Sequence, residues 1–130
     1  MSLPTPTEHA EQCLLMIWVS CMTSNVYPEL STLHAIPNGS LRNIVVAKKL
    51  KKEGVKKGVP DLHLPVPKGE YASLYIEMKS VAVKPKKHGK GGVSAEQAEW
   101  LKRLSNYGNK CVVCYGAKEA QHEIETYLNL

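Results

Sequence analysis

The chain contains no phenylalanine, and aromatic residues make up only 6% of its 130 positions. That scarcity argues against a sheet that binds single strands by base stacking, because such sheets need exposed rings on neighbouring strands. No apolar run is long enough to cross a bilayer: the longest, Cys13 to Val19, falls far short of the roughly 20 residues a spanning helix needs. The first twelve residues hold Glu8 and Glu11 but no Lys or Arg, so the positive start of a secretory signal is missing and the cytoplasm is the expected compartment. Four cysteines are present, yet no second CxxC and no HxxxH completes a set of four ligands. Cys111 and Cys114 fall three apart on an expected strand and point to opposite faces, and Cys13 and Cys21 lie eight apart on an expected helix. The four read as buried free thiols, with no zinc site.

What is present is an ordinary globular composition, 43% hydrophobic and 22% charged, in a length suited to one domain over residues 1–130. The net charge of +5 favours polyanionic partners weakly; its distribution says more. Lys48, Lys49, Lys51, Lys52, Lys56 and Lys57 fall within ten residues, and Lys84, Lys86, Lys87 and Lys90 form a second group. Such clusters serve equally as solvated surface or as a nucleic-acid face.

Thr5-Pro6-Thr7-Glu8 starts a helix whose apolar face is expected to run through Leu14, Leu15, Ile17, Trp18, Cys21 and Met22, and Asn25 to Pro28 ends it. A short strand is expected over 32–36, before the turn Pro37-Asn38-Gly39, and a second helix over 41–53 with Ile44, Val45, Ala47 and Leu50 inward. Residues 61–66 and 71–79 alternate as a hairpin: Leu62, Leu64 and Val66 against Leu74, Ile76 and Met78, with Asp61, His63, Tyr75, Glu77 and Lys79 on the other faces. The Lys- and Gly-rich stretch 81–93 has no apolar period and reads as a mobile basic loop. Ser94-Ala-Glu-Gln97 opens a helix as a capping box, Cys111 to Tyr115 forms a last strand, and 117–128 a last helix. The order α-β-α-β-β-α-β-α predicts an α/β fold: a mixed central sheet of about four strands flanked by helices.

The chemistry concentrates at Asp61 and at Ile76-Glu77-Met78-Lys79. Residues two apart on a strand share a face, so Glu77 and Lys79 stand side by side, and hairpin pairing brings Asp61 in from the adjacent strand. Two carboxylates with an ammonium beside them suit metal-assisted phosphodiester hydrolysis. Hard oxygen ligands hold Mg²⁺ or Mn²⁺, the bound water becomes a better nucleophile, and the lysine orients it or stabilises developing charge. An ordinary exposed Glu–Lys pair, worth well under ~1 kcal/mol, has the same spacing. Gln97 serves equally as a local cap or as a polar group reaching into the site from a helix start. His63 shares the face of Asp61, but oxygen-rich sites rarely need an imidazole. His34 is either a DNA contact or a histidine satisfied locally at a strand end.

Taken in order, Gly58-Val-Pro-Asp61-Leu, Ile76-Glu-Met-Lys79 and Ser94-x-x-Gln97 resemble the PD-(D/E)XK nuclease superfamily. Glu8-x-x-x-Gln12, His34-x-x-Pro37-Asn38-Gly39 and Lys51 with Gly54 extend the likeness, which is closest to the VRR-NUC (virus-type replication-repair nuclease) domain and covers nearly the whole chain. The resemblance implies a restriction-endonuclease-like core and a divalent-metal-dependent endonuclease, selective for branched or Holliday-junction-like DNA and acting as a homodimer in replication, recombination or repair, in a bacterial or phage-infected cell. It implies Asp61 and Glu77 as metal ligands, Lys79 as the catalytic lysine, and a further acid on the first helix: Glu8, or Glu11 one turn on. On this reading His34, Asn38, Lys51, Lys52, Lys56, Lys57, Lys84, Lys86, Lys87 and Lys90 are the DNA contacts, gripping phosphates without reading sequence. The alternative is a non-cleaving DNA-binding module on the same fold, against which the intact Asp–Glu–Lys set argues.

Overall fold

Alternation in the hairpin segment and a capping box ahead of the third long helix set the architecture. The computed structural model describes residues 3–37, 44–85 and 89–130. Its regular elements are α1 (Glu8–Asn25), β1 (His34–Ala35), α2 (Ile44–Lys52), β2 (Leu62–Leu64), β3 (Leu74–Lys79), α3 (Ala95–Asn106), β4 (Lys110–Tyr115) and α4 (Ala117–Leu128), with 3₁₀ turns at Pro28–Thr32 and Val81–Val83. The strands form one sheet in the order β1-β2-β3-β4; β1, β2 and β3 pair antiparallel, and β4 runs parallel to β3. This is the mixed four-stranded sheet flanked by helices expected from the sequence.

One face of the sheet carries the core. Leu62, Leu64, Leu74, Ile76, Met78 and Cys114 are fully buried and meet Leu15 and Val19 of α1 and Ala120, Ile124 and Tyr127 of α4. Truncating one such side chain to alanine costs about 2–5 kcal/mol, so this face fixes the hairpin register. The other face carries Asp61, His63, Tyr75, Glu77 and Lys79, and α3 stands over its β3–β4 side, where Gln97 reaches Glu77.

Two of the three long helices start on local caps. Thr7 caps α1, its hydroxyl accepting from the Ala10 N–H at 3.1 Å. Ser94 caps α3 with both halves of the capping box formed. α4 begins instead at Gly116, with φ of 91° and no side chain to cap with; the Glu11 carboxylate accepts from the Ala117 N–H in its place. A Cβ at position 116 would lie 2.8 Å from Glu11 Oε2, so glycine is required there twice over.

Several expectations are corrected. The strand expected over 32–36 shrinks to His34–Ala35, because Pro28 sets a 3₁₀ turn that runs to Thr32. In α1 the inward stripe is Glu11, Leu15 and Val19, while Leu14 and Ile17 are 52% and 64% exposed. The helix is apolar on most of its circumference, so period alone selects no face. In α2 no residue is buried, and Ile44 and Val45 face solvent; the helix is amphipathic but lies off the core. The cysteines are free, yet Cys13 and Cys21 are exposed, Cys111 is half-buried, and only Cys114 lies in the core. Apart from these corrections, the described part of 81–93 includes a 3₁₀ turn capped by Ser80, and Gly91 O accepts from the Tyr115 hydroxyl at 3.0 Å. Asn38, Lys86 and Lys87 lie outside the described residues.

Candidate active site

The hairpin register delivers the acidic pair. Leu62 pairs with Ile76 and His63 with Tyr75, which sets Asp61, one residue before β2, across from Glu77. Asp61 extends the ladder in two ways. Its carbonyl accepts from Ile36 N at 2.8 Å, and its Oδ2 accepts from Met78 N at 2.7 Å. One carboxylate oxygen is thus spent on holding the strand end, and the carboxylate is fixed in direction. The loop before it is pressed against the start of α3: a Cβ on Gly58 (φ 89°) would lie 2.8 Å from Glu96 Cβ, and Trp100 Nε1 donates to Lys57 O at 3.1 Å.

Glu77 is 1% exposed and Lys79 5%. Gln97 ties them together. Its Nε2 donates to Glu77 Oε1 at 3.1 Å, and its Oε1 accepts from Lys79 Nζ at 3.1 Å and from Ser94 N at 2.9 Å. The capping reading and the site reading of Gln97 therefore hold together, since one carboxamide serves both. Lys79 Nζ also stands 3.7 Å from Glu77 Oε1. Burial, then the neighbouring Asp61 carboxylate, pushes the Glu77 carboxyl up to about 9; Lys79 opposes the rise, and Glu8 adds a smaller push upward.

Among the described residues no N–H or hydroxyl donates to the buried Glu77 Oε2, and the carboxyl shares a proton only with its neighbour Asp61. Unsatisfied buried carboxylate oxygens are costly, and two adjacent carboxylates ionise together only beside a compensating positive charge. A hard oxygen so placed next to a second carboxylate fits a Mg²⁺- or Mn²⁺-type cation, which takes few protein oxygens and completes its shell with water and substrate. Among the described residues no group of three or more His, Cys, Asp or Glu is placed to hold a metal ion, so the donors brought together are the Asp61 and Glu77 carboxylates.

The VRR-NUC domain model matches residues 6–118. The chain belongs to the VRR-NUC family. A solved structure described as a VRR_NUC domain protein superposes on this VRR-NUC domain with a TM-score of 0.76 and 27% identity, covering 97% of this chain and 91% of the other. No curated protein matches it. The fold is thus of nuclease type and restriction-endonuclease-like, and no helix among the described residues is long and apolar enough to cross a membrane.

The two acids of α1 separate. Glu11 is buried and engaged at the start of α4, whereas Glu8 is exposed and close enough to Glu77 to influence it. Glu8 follows the cap Thr7 directly, at the first position of the helix, so its side chain is not engaged in a capping box with it. His34 is exposed, with Nδ1 donating to Thr32 O at 2.9 Å. His63 is stacked on Tyr75 at 4.1 Å, and its Nε2 meets Ser73 Oγ at 3.0 Å; the Ser73 hydroxyl donates onward to Asn109 Oδ1 at 2.6 Å. Burial and then His34 lower the basicity of His63. Composition gave no sign of this ring pair, because the stacking partners are a histidine and a tyrosine brought together only by register. Of the lysines, Lys51, Lys52, Lys56 and Lys90 are exposed, Lys57 lies 3.6 Å from Glu96, and Lys84 is bound to Glu119. Lys84 is therefore less available to phosphate than its place in the sequence suggests.

Proposed function

We propose that this VRR-NUC domain is a Mg²⁺- or Mn²⁺-dependent DNA endonuclease, selective for branched DNA and working as a homodimer in replication, recombination or repair. The observation that carries the reading is the buried Glu77 Oε2, which no N–H or hydroxyl among the described residues reaches, set against the Asp61 carboxylate with Lys79 at hand. Asp61 and Glu77 would hold the cation, with Glu8 the nearest further acid. When bound, the cation lowers the pKa of a water and offsets charge on the phosphate.

The chain's own residues do the rest. Asp61 is immobilised by the Met78 N–H, so its free oxygen keeps one direction. Gln97 Oε1 accepts a hydrogen bond from one Lys79 N–H and Glu77 lies beside the ammonium, which leaves a donor for a phosphate oxygen or the attacking water. Because Lys79 is buried, that charge acts in a poorly screened setting, where a well-placed donor is worth on the order of 10²–10³ in rate. The exposed lysines on α2 and the loop before Asp61 supply contacts to flanking phosphates without base readout.

The test is cleavage of labelled duplex, flap and four-way-junction DNA with Mg²⁺, Mn²⁺ or EDTA, beside Asp61→Asn and Lys79→Ala. Metal-dependent cutting that disappears in both variants supports the reading, and the preferred substrate gives its class. Tight junction binding with no cutting under any metal would overturn it and leave a DNA-binding module.

A further inference from the structure

One turn beyond Gln97 on α3, the half-buried indole of Trp100 separates two hollows. One, of about 430 Å³, is bounded by Lys56, Trp100, Arg103 and Tyr107. The other, of about 440 Å³, lies between Pro37, Val55, Lys56, Val59 and Trp100. Trp100 and Lys56 line both, so the hollows adjoin across the indole as one interrupted trough, one half along α3 and the other against residues 53–59. Its near end is beside the active site: Pro37 follows Ile36, whose N–H is bonded to the carbonyl of Asp61. Its far end is Tyr107, 69% exposed at the C-cap of α3.

The acidic site draws on Trp100 only through its N–H, and the core does not account for the rest. The Trp100 N–H is already satisfied by Lys57 O, so the indole is held in one orientation. Arg103 and Tyr107 stand four residues apart, on one face of the helix, and neither is buried. Aromatic rings set between cationic side chains, in a groove with apolar walls, are what unpaired nucleotides bind: bases lie against rings and phosphates ride on the basic rim. A duplex keeps its base faces stacked and cannot use such a groove. Glu53 and Glu99 also line it and are exposed like the two cations; phosphate is disfavoured beside them, so the backbone is expected to follow Lys56 and Arg103.

We infer that this trough takes the unpaired nucleotides of a branched DNA as they leave the cleavage site. The inference rests on the nuclease reading above and names the feature of the substrate that the protein selects. Selectivity for unpaired strands then comes from Trp100, Arg103 and Tyr107, not from the metal-binding face.

Equilibrium binding in EDTA tests this without any cutting. A single-stranded oligothymidine, a flap and a nicked duplex of equal length are titrated while tryptophan emission and anisotropy are read. Quenching by the oligothymidine and the flap is expected to persist in Trp18→Phe and to vanish in Trp100→Phe. The exposed Tyr107→Ala and Arg103→Ala, which leave the core intact, are each expected to cut the preference for flap over nicked duplex about tenfold, the scale of one stacked base. Unchanged preference in both variants overturns the inference. So does a shift in sedimentation of Tyr107→Ala, which would make the trough a contact between copies of the chain. The two readings fail separately: selective binding without cleavage removes only the nuclease, and cleavage without a Trp100 response removes only the trough.

Discussion

The Glu11 carboxylate on α1 accepts a hydrogen bond from the Ala117 N–H at the first turn of α4, across 106 positions of sequence. It supplies the cap that Gly116 cannot, and its charge faces the positive end of a helix. The two candidate acids of the first helix consequently have separable roles. Glu11→Ala is expected to lower stability by about 1–3 kcal/mol, read by urea unfolding, because a buried donor loses its partner. Glu8→Ala is expected to leave stability within ~0.5 kcal/mol and to weaken Mn²⁺ binding by calorimetry. The reverse pattern would move the metal-facing acid to Glu11.

Glu77 gives the metal-free protein a pH signature. Its folded-state carboxyl titrates near 9 against an ordinary 4.5. A raised pKa means that the folded state holds the proton more tightly than the unfolded state does. The associated stability is therefore complete below about pH 4.5, declines as pH rises, and is fully lost above about 9. In EDTA, wild-type protein is expected to melt at lower temperature at pH 8.5 than at pH 6, with Glu77→Gln showing a smaller decline and a higher Tm at pH 8.5. Equal slopes in the two proteins would mean that Glu77 is not the group responsible.

Gly58 joins the loop carrying the lysines to the segment carrying Asp61. With φ at 89°, and with a Cβ there falling 2.8 Å from Glu96 Cβ, the position has no room for a side chain. Gly58→Ala is expected to cost at least about 1 kcal/mol and to reduce turnover more than DNA affinity, since it pushes the loop off the α3 start that holds Gln97. A variant with wild-type kcat would show that this packing does not position the site.

DNA binding in EDTA is expected to weaken steeply with salt. Alanine at Lys51, Lys52 or Lys56 each reduces the slope of log K against log salt by about 0.9 if that lysine neutralises one phosphate. Lys84→Ala is expected to change it less, because Glu119 already holds that ammonium. Equal effects at Lys84 and Lys56 would place the Val81–Val83 side of the site on the DNA as well.

How far the sequence reveals this molecule depends on whether the controlling interaction is local. The hairpin is legible because alternation of Leu62, Leu64, Leu74, Ile76 and Met78 permits one register, and that register puts Asp61 opposite Glu77. The start of α3 is legible because Ser94 and Gln97 bond each other three residues apart. What is not legible depends on distant partners. Alternation places Glu77 on a face but does not say that α3 covers it, so its burial emerges only in three dimensions. Period marks α2 as amphipathic but cannot show that no core element meets Ile44 and Val45. Nothing near Glu11 announces Ala117, and nothing near His63 announces the Ser73–Asn109 pair.

The Gln97 carboxamide has one further consequence. Its oxygen caps α3 through Ser94 N and holds Lys79, and its nitrogen holds Glu77, so its orientation is dictated from both sides. Opening of the first turn of α3 therefore breaks the cap and both buried bonds together, releasing the lysine and the glutamate at the same moment. Local loss of this one turn is expected to abolish activity in a single step while the core on the opposite face of the sheet is still folded.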